Sequence, residues 1–516
     1  MVNQSLPAMF RQTAARMPDA PAILADPVWS YRRLADESQA FAAGLVEHGV
    51  ARGDRVALLC PNGPEFVVAY LALLEAGAIV VPINLLLKPA AIAYQLTDCG
   101  CTGLVAHAAM AENARLALVH APDVGLVIGV GGDLDSGALS MDELLTAPLD
   151  APIETAADAD AVILYTSGTT GHPKGAVLTH ANLASNAQAV AEVLELVPGR
   201  ERVLVVLPMF HAFAATVGIL TPLLSGAALV PVSRFDPPLI TETVAVHRAT
   251  LFLGVPSLYS LLLRLSEQQV ARWKSVRLCI SGGAAMPQGL MAEFEGRFGI
   301  PVLEGDGPTE CGPVTCVNPP AGPRKPGSVG PPIPSVEMHI ADEHGRQLPD
   351  RAYGEVCVRG PSVMRGYWNL PEATASSFHG DWFRTGDLGW RDEDGWFYLV
   401  DRIKDLIITN GMNVYPRVVE EALLRNPAVA EAAVVGEAHS THGEIVVAHV
   451  VASPEHPVDT GELKAWCREH LGRHEQPRRI ELRDAMPKNA AGKVLKRELR
   501  RSGEIERGIR RDGPSP

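Results

Sequence analysis

From Tyr165 the chain reads Tyr165-Thr166-Ser167-Gly168-Thr169-Thr170-Gly171-His172-Pro173-Lys174-Gly175. Three glycines, four hydroxyl side chains and one lysine thus follow directly on the apolar run 162–165. Glycine lets backbone amides approach a polyanion closely, and the hydroxyls and the ammonium add donors around it. The chemistry on offer is capture of a phosphate chain. It is not a Walker loop, which needs Gly immediately before Lys and Ser or Thr after it. Here Pro173 and Gly175 flank Lys174, so kinase and P-loop ATPase readings lose support. A Gly/Ser/Thr cluster is ordinarily a surface loop, but this length and composition directly after a strand weigh against that.

Four further runs carry groups of the same kind of chemistry: Gly305-Asp306-Gly307-Pro308-Thr309-Glu310, Trp382-Phe383-Arg384-Thr385-Gly386-Asp387, Asp401-Arg402-Ile403-Lys404-Asp405, and Pro487-Lys488-Asn489-Ala490-Ala491-Gly492-Lys493. A carboxylate such as Glu310 suits a hard cation that bridges phosphate oxygens. An ionised Asp387 has two oxygens to accept from a pair of hydroxyls. Taken singly, each run has a plainer reading: Thr309-Glu310 as a helix cap, Asp387 as a turn residue, and 401–405 as a solvated linker. A Gly-Lys near a chain end means little by itself.

Taken together and in this order, the runs resemble the adenylate-forming superfamily of acyl-CoA synthetases, luciferases and nonribosomal-peptide adenylation domains. The pattern is closest to fatty-acid and acyl-CoA ligases. The likeness extends over 29–499, with weaker matches at Gly53-Asp54-Arg55-Val56, Ala76-Gly77-Ala78 and Pro82-Ile83-Asn84. It implies that Thr166, Ser167, Gly168, Thr169, Thr170, Gly171 and Lys174 hold the β- and γ-phosphates of ATP. Gly305, Asp306 and Gly307 would border the adenine, Thr309 would contact phosphate and Glu310 would hold Mg2+. By the same resemblance Asp387 takes the ribose hydroxyls, Arg402 contacts the nucleotide, and Lys404 carries a hinge torsion. Gly411, in Gly411-Met412-Asn413-Val414-Tyr415-Pro416, matches the position beside the pantetheine arm of coenzyme A. Lys493 would bridge the substrate carboxylate and the α-phosphate, a positioned cation where two anions meet. Asp306 departs from the pattern, because the family usually carries Tyr or another aromatic there, stacked on adenine.

Pro208-Met209-Phe210-His211 and Ser281-Gly282-Gly283-Ala284 resemble the segments that line the acyl pocket. His211 reads either as an acyl gate or as a buried, satisfied histidine. No carboxylate stands around 210–213, where amino-acid-activating relatives pair an α-ammonium, so an acid without an amine is favoured. Small residues at Ala212, Ala214, Ala215 and Gly218 suit an apolar acyl or ring substrate.

The elements that must position these groups follow an α/β texture. Short apolar runs at 55–59, 162–165, 203–207 and 276–280 alternate with helical stretches. A helix is expected from about Asn182, after the phosphate loop. Residues 203–232 hold no Asp, Glu, Lys or Arg, and a spanning helix needs about 20 apolar residues. Pro208, Pro222 and Pro231 break that span, so the expectation is strand 203–207, helix 216–224 and strand 228–230. Beyond Pro319 Pro and Gly become dense, and strand-like alternation at 336–340 and 355–359 suggests a β-rich subdomain. After the strand-like 396–400, helices at 418–424 and 463–470 with strands at 432–435 and 445–451 make a small α+β domain. The division predicted is 1–400 for an N-terminal adenylate-forming domain, 401–404 for a hinge, 405–502 for a mobile C-terminal lid and 503–516 for a frayed tail.

With 516 residues, at least two domains are expected. A net charge of −14 argues against nucleic-acid or anionic-membrane partners. Eight scattered cysteines without zinc-site spacing read as reduced thiols of a cytoplasmic protein. The N-terminus lacks the pattern of a signal peptide. The expected reaction is two-step, with acyl-adenylate formed from a carboxylic acid, ATP and Mg2+, then thioester formed with coenzyme A. Loading of a carrier protein and a non-catalytic adenylate-binding protein are the alternatives, and a homodimer is the assembly considered.

Overall fold

A computed structural model describes residues 3–132, 134, 137–145, 147, 151–166, 173–454, 456, 458–489 and 492–500. The chain divides into two compact units, one of Met1–Met338 with Cys357–Phe383 and the other of His339–Val356 with Arg384–Pro516. The fold is mixed α/β with a large N-terminal and a smaller C-terminal part.

The larger unit holds two eight-stranded sheets. In the first, the spatial order is Cys316–Val317, Val302–Asp306, Leu278–Ser281, Leu251–Gly254, Arg202–Val205, Ala228–Pro231, Pro21–Ile23 and Trp29–Ser30. Its inner pairs are parallel and its two edge pairs antiparallel. Strands buried on both faces read as continuous apolar runs, and Leu204, Val230, Phe252 and Cys279 accordingly lie in one core with the helices around them. The second sheet runs Gly366–Tyr367, Lys174–Thr179, Asp160–Thr166, Ile79–Pro82, Arg55–Leu59, Gly103–His107, Leu126–Val130 and Leu139–Ser140. Several covering helices start with proline at their first turn, where the missing N–H costs nothing; Pro64, Pro89, Pro237 and Pro256 are examples.

One element absent from the sequence reading appears here, and one expectation is refined. Between the glycine-rich run and the helix expected from about Asn182, Lys174–Thr179 returns as a strand antiparallel to Asp160–Thr166. Only then does the helix His180–Val193 begin, with Thr179 and Asn182 exchanging side-chain and backbone bonds as a capping box. The uncharged stretch after Val203 folds as strand Arg202–Val205, a π-helical turn Ala214–Leu220, a short helix Thr221–Ser225 and strand Ala228–Pro231. Among the described residues no helix is long and apolar enough to cross a membrane.

The β-rich stretch forms Glu337–Ala341, Gly354–Arg359, Trp382–Arg391 and Phe397–Arg402, and the boundaries between the units fall inside the first three of these strands. In the smaller unit Phe397–Arg402 pairs antiparallel with Trp382–Arg391, setting Arg402 opposite Asp387. A second sheet there runs Met412–Val414, Ile407–Thr409, Gly443–Ala452 and Val429–His439, with Arg479–Arg483 parallel to Gly443–Ala452. Helices Pro416–Leu424 and Thr460–His470 cover it through Val419, Leu423, Leu463 and Cys467. The tail predicted from 503 lies outside the described residues.

Candidate active site

The glycine-rich run is flanked by two paired strands. Tyr165 pairs with Gly175 and Thr166 with Lys174 across the two antiparallel strands, and the Thr166 hydroxyl donates to the Lys174 carbonyl at 3.4 Å. Ser167, Gly168, Thr169, Thr170 and Gly171 lie outside the described residues. Helix Pro89–Asp98 grips both flanks. The Tyr94 hydroxyl donates to the Pro173 carbonyl at 3.2 Å, and the Tyr165 hydroxyl donates to Asp98 Oδ2 at 2.6 Å. The two tyrosine rings meet edge to face at 6.4 Å. Gly175 is glycine for packing, since a Cβ there would sit 2.7 Å from Ile163 Cγ2.

Lys174 and Glu310 come together around a residue that the sequence did not single out. Lys174 Nζ lies over the Tyr367 ring, 4.9 Å from its centroid, and the Tyr367 hydroxyl donates to Glu310 Oε1 at 2.8 Å. Thr309 and Glu310 occupy a short turn, Thr309–Cys311, just beyond the end of strand Val302–Asp306. The Met364 N–H donates to the Glu310 carbonyl at 2.7 Å and fixes that turn to the segment that carries Tyr367.

Gly305 and Gly307 owe their identity to backbone crowding. A Cβ on Gly305 would lie 2.9 Å from the Cys316 carbonyl oxygen, and one on Gly307 only 1.6 Å from that of Pro313. Asn186 on the neighbouring helix holds the facing loop, accepting from Val314 N–H and donating to the Val314 carbonyl at 2.7 Å. Asp306 pairs with Cys316 in register, and its carbonyl accepts from both the backbone N–H and the hydroxyl of Thr315 at 3.0 Å. Burial, and next the Asp306 carboxylate, push the Cys316 thiol far up.

A cavity connects this strand end to the expected acyl segments. His211, Gly282, Gly283, Gly305, Asp306, Gly307 and Thr309 all line it, and its remaining wall is mainly Val190, Leu194, Phe213, Val217, Val314 and Val317. Ala284 is exposed and lies outside that wall. His211 Nδ1 accepts from Phe213 N–H at 3.4 Å. Of the small residues noted in the sequence, Ala212 lines the cavity, whereas Gly218 faces the sheet, where a Cβ would meet Val205 at 3.0 Å. The loop Gly282-Gly283-Ala284 is anchored from below by buried Glu304, whose Oε1 accepts from Met286 N–H at 2.8 Å.

In the smaller unit Arg402 Nε pairs with Asp387 Oδ1 at 2.6 Å, and Arg402 Nη1 donates to the Thr385 carbonyl at 3.1 Å. Lys404 follows in the turn Ile403–Asp405. Burial around its ammonium lowers its pKa and Asp405 opposes that, while the charges of Arg402, Lys493 and Arg500 lower it further. Lys493 therefore shares the electrostatic surroundings of Lys404 within this unit. Its own N–H is held by Asn489 Oδ1 at 2.9 Å. Gly411 has a local reason to be glycine: with Asn410 at φ 51° and Gly411 at φ 77°, the pair makes a two-residue hairpin between Ile407–Thr409 and Met412–Val414.

Comparison with known proteins decides what these groups belong to. Residues 10–368 match the model of the AMP-binding enzyme family, and residues 418–493 match the AMP-binding enzyme C-terminal domain. The chain belongs to the AMP-binding enzyme family. It is 35% identical to a long-chain-fatty-acid–CoA ligase of Bacillus subtilis, across 96% of this chain and 94% of that protein. It is 36% identical to a feruloyl-CoA synthase of an Amycolatopsis species, across 97% of this chain and 99% of the relative. The solved anthranilate CoA ligase AuaEII in complex with anthranoyl-AMP superposes with a TM-score of 0.90 at 25% identity, covering 99% of each chain. As an AMP-binding enzyme of the acyl-CoA synthetase type, the chain is an ATP-dependent ligase that forms an acyl-adenylate and transfers the acyl group to coenzyme A, with Mg2+ as cofactor.

The residues present fit a magnesium ion that arrives with its nucleotide. Among the described residues no three His, Cys, Asp or Glu side chains gather as an all-protein cation site. Mg2+ commonly takes one or two carboxylates and completes its shell with phosphate oxygens and water. Glu310, half-buried and already oriented by the Tyr367 hydroxyl, supplies such a carboxylate.

Proposed function

We propose that this ligase activates monocarboxylic acids with an apolar body, fatty or aromatic. The observation that carries this is the cavity wall: apart from Asp306 and His211 it is apolar or small, and no lysine or arginine lines it among the described residues. A second carboxylate on the substrate would find no cation there and would face Asp306. The names of the relatives, long-chain-fatty-acid–CoA ligase and feruloyl-CoA synthase, agree with an apolar acid of either type.

In this reading the hydroxyls and amides of 166–171 with Lys174 hold the β- and γ-phosphates, and Thr309 adds a donor. Mg2+, when bound, neutralises phosphate charge, and Glu310 is the residue that would hold it. Asp387 receives the ribose hydroxyls and Arg402 the nucleotide. Gly305, Asp306 and Gly307 border the adenine, while His211 with Gly282, Gly283 and Ala284 frames the acyl chain. Lys493 brings the substrate carboxylate to the α-phosphate as pyrophosphate leaves, where a fixed cation stabilises the redistributed charge. A torsion change at Lys404, in the hinge 401–404 between 1–400 and 405–502, then admits the thiol past Gly411. The same proposal places the protein in the cytoplasm, which its eight buried cysteine thiols support, and takes a homodimer as the assembly for light scattering to test.

An acid panel tests the substrate class. Straight-chain acids of graded length, benzoate, a cinnamate-type acid and malonate are each offered with ATP, Mg2+ and coenzyme A, and acyl-AMP and acyl-CoA are scored by mass spectrometry. Product from apolar monocarboxylic acids and none from malonate is expected. Preference for malonate would overturn the reading of the cavity.

A further inference from the structure

On the reading that Lys174 meets phosphate and Glu310 meets Mg2+, we propose that Tyr367 is a positioning residue that sets these two groups relative to one another for the metal–nucleotide complex. One side chain serves both. Its ring face takes Lys174 Nζ at 4.9 Å from the centroid, and its hydroxyl donates to Glu310 Oε1 at 2.8 Å. The phenol is held by its backbone on each side. Tyr367 pairs with Ala176 on the strand that starts at Lys174. Trp368 N–H donates to the Gly175 carbonyl and Met364 N–H to the Glu310 carbonyl, each at 2.7 Å. Tyr367 N–H itself donates to Thr374 Oγ1 at 2.8 Å. Residues 364–368 therefore grip both the strand that carries the lysine and the turn that carries the carboxylate.

The chemistry of the phenol suits this place. A lysine and a glutamate brought close without a spacer pair directly, and each then neutralises the charge the other needs for a ligand. An aromatic ring attracts an ammonium through its quadrupole without removing its charge. A neutral O–H orients a carboxylate in the same way, leaving its charge in place and its second oxygen for a cation. A phenol, with an ordinary pKa of about 10, keeps its proton at physiological pH and so serves as the donor.

Two variants separate the two contacts. Tyr367→Phe keeps the ring under Lys174 and deletes the O–H, whereas Tyr367→Leu deletes both. ATP binding is measured by calorimetry with and without Mg2+, Mn2+ binding in the presence of ATP by electron paramagnetic resonance, and Tm by thermal unfolding. For Tyr367→Phe, loss of a hydrogen bond to a charged group predicts roughly tenfold weaker metal–ATP binding, with metal-free ATP binding and Tm unchanged. Tyr367→Leu is expected to weaken metal-free ATP as well, by about threefold to tenfold. Adding Tyr367→Phe to Glu310→Gln should weaken metal–ATP binding no further than Glu310→Gln alone. The inference is overturned if Tyr367→Phe binds metal–ATP as the wild type does. It is also overturned if the variants lower Tm and weaken ATP equally with and without metal, the pattern of a packing role. A wild-type protein that binds no ATP in either condition would sink the nucleotide reading itself; normal wild-type binding with an indifferent phenylalanine variant sinks this inference alone.

Discussion

His180 makes the stability of the larger unit depend on pH in a direction that can be worked out in advance. It opens the helix His180–Val193 directly after the strand that begins at Lys174, and it is 1% exposed. Its Nδ1 accepts from the Leu6 N–H at 3.4 Å, which suits a neutral ring. Burial, with the nearby charge of Arg52, lowers its pKa from 6.5 to about 4. Between those two values the unfolded chain holds a proton that the folded chain does not. Stability is thus fully present above the unfolded value and is lost as the pH falls toward the folded one. A gap of about 2.5 at about 1.36 kcal/mol per pH unit makes the whole effect about 3 kcal/mol, of which about 2 kcal/mol is lost by pH 5. Urea unfolding of the wild type and of His180→Gln, each at pH 7.5 and pH 5, isolates the term, because every other titrating group is common to both. Glutamine cannot titrate, so the variant should lose about 2 kcal/mol less than the wild type over that interval. Equal losses in the two proteins would refute the reasoning, whatever the absolute stability of the variant.

Lys493→Ala should slow acyl-AMP formation by roughly 10²–10³-fold, the usual result of removing one electrostatic stabiliser, and should spare thioester formation from supplied acyl-AMP; equal loss in both half-reactions refutes that division of labour. Gly307→Ala places a methyl 1.6 Å from the Pro313 carbonyl oxygen, so the loop beside Thr309 and Glu310 has to shift, with an expected cost of about 1–3 kcal/mol and a parallel fall in adenylation. A Gly307→Ala protein with unchanged Tm and adenylation rate would show that the loop yields freely. Asp306→Tyr offers adenine a stacking face and removes a carboxylate from beside the nucleotide, so ATP titration should tighten by up to about tenfold. Weaker binding with poorer discrimination against GTP would instead mark Asp306 as an acceptor for the adenine amino group.

Much of this was legible in the sequence where one segment carries its own explanation. Strand Arg55–Leu59 has the limits read from its apolar run, and the strands Glu337–Ala341 and Gly354–Arg359 lie within a residue of theirs. Strand Lys174–Thr179 was hidden because Lys174 and Gly175 look like the end of a loop. What makes them strand is the partner Tyr165–Thr166 and the contact of Gly175 with Ile163, neither visible locally. The π-helical turn Ala214–Leu220 was likewise read as ordinary helix, since a run of small and apolar residues does not reveal its hydrogen-bond period. Lys174 and Glu310 could be picked out by type and neighbourhood, but Tyr367, which joins them, lies far from both in sequence. Glycines were legible as landmarks and not as causes: Gly307 answers to Pro313, and Gly411 to a hairpin turn.

The stretch Arg384–Asp387 shows how a chain can orient the carboxylate that we propose takes the ribose hydroxyls. Each of its four residues is tied by a hydrogen bond or ion pair within the smaller unit. Arg384 Nε donates to Glu355 Oε2 at 2.9 Å, and Gly386 N–H donates to the other oxygen of the same carboxylate at 3.1 Å. Between them the Thr385 hydroxyl donates to the Val356 carbonyl at 2.8 Å and accepts from Asp387 N–H at 3.0 Å. Asp387 then meets Arg402 directly across the strand pair. With backbone and side chain both fixed, little rotamer freedom is left to lose on binding, and such losses are what weaken a contact made by a mobile surface residue. Arg402 has a second effect. The guanidinium at 2.6 Å supplies the countercharge that a buried carboxylate would otherwise lack. Arginine is suited to this because its guanidinium donates to Asp387 and to the Thr385 carbonyl together.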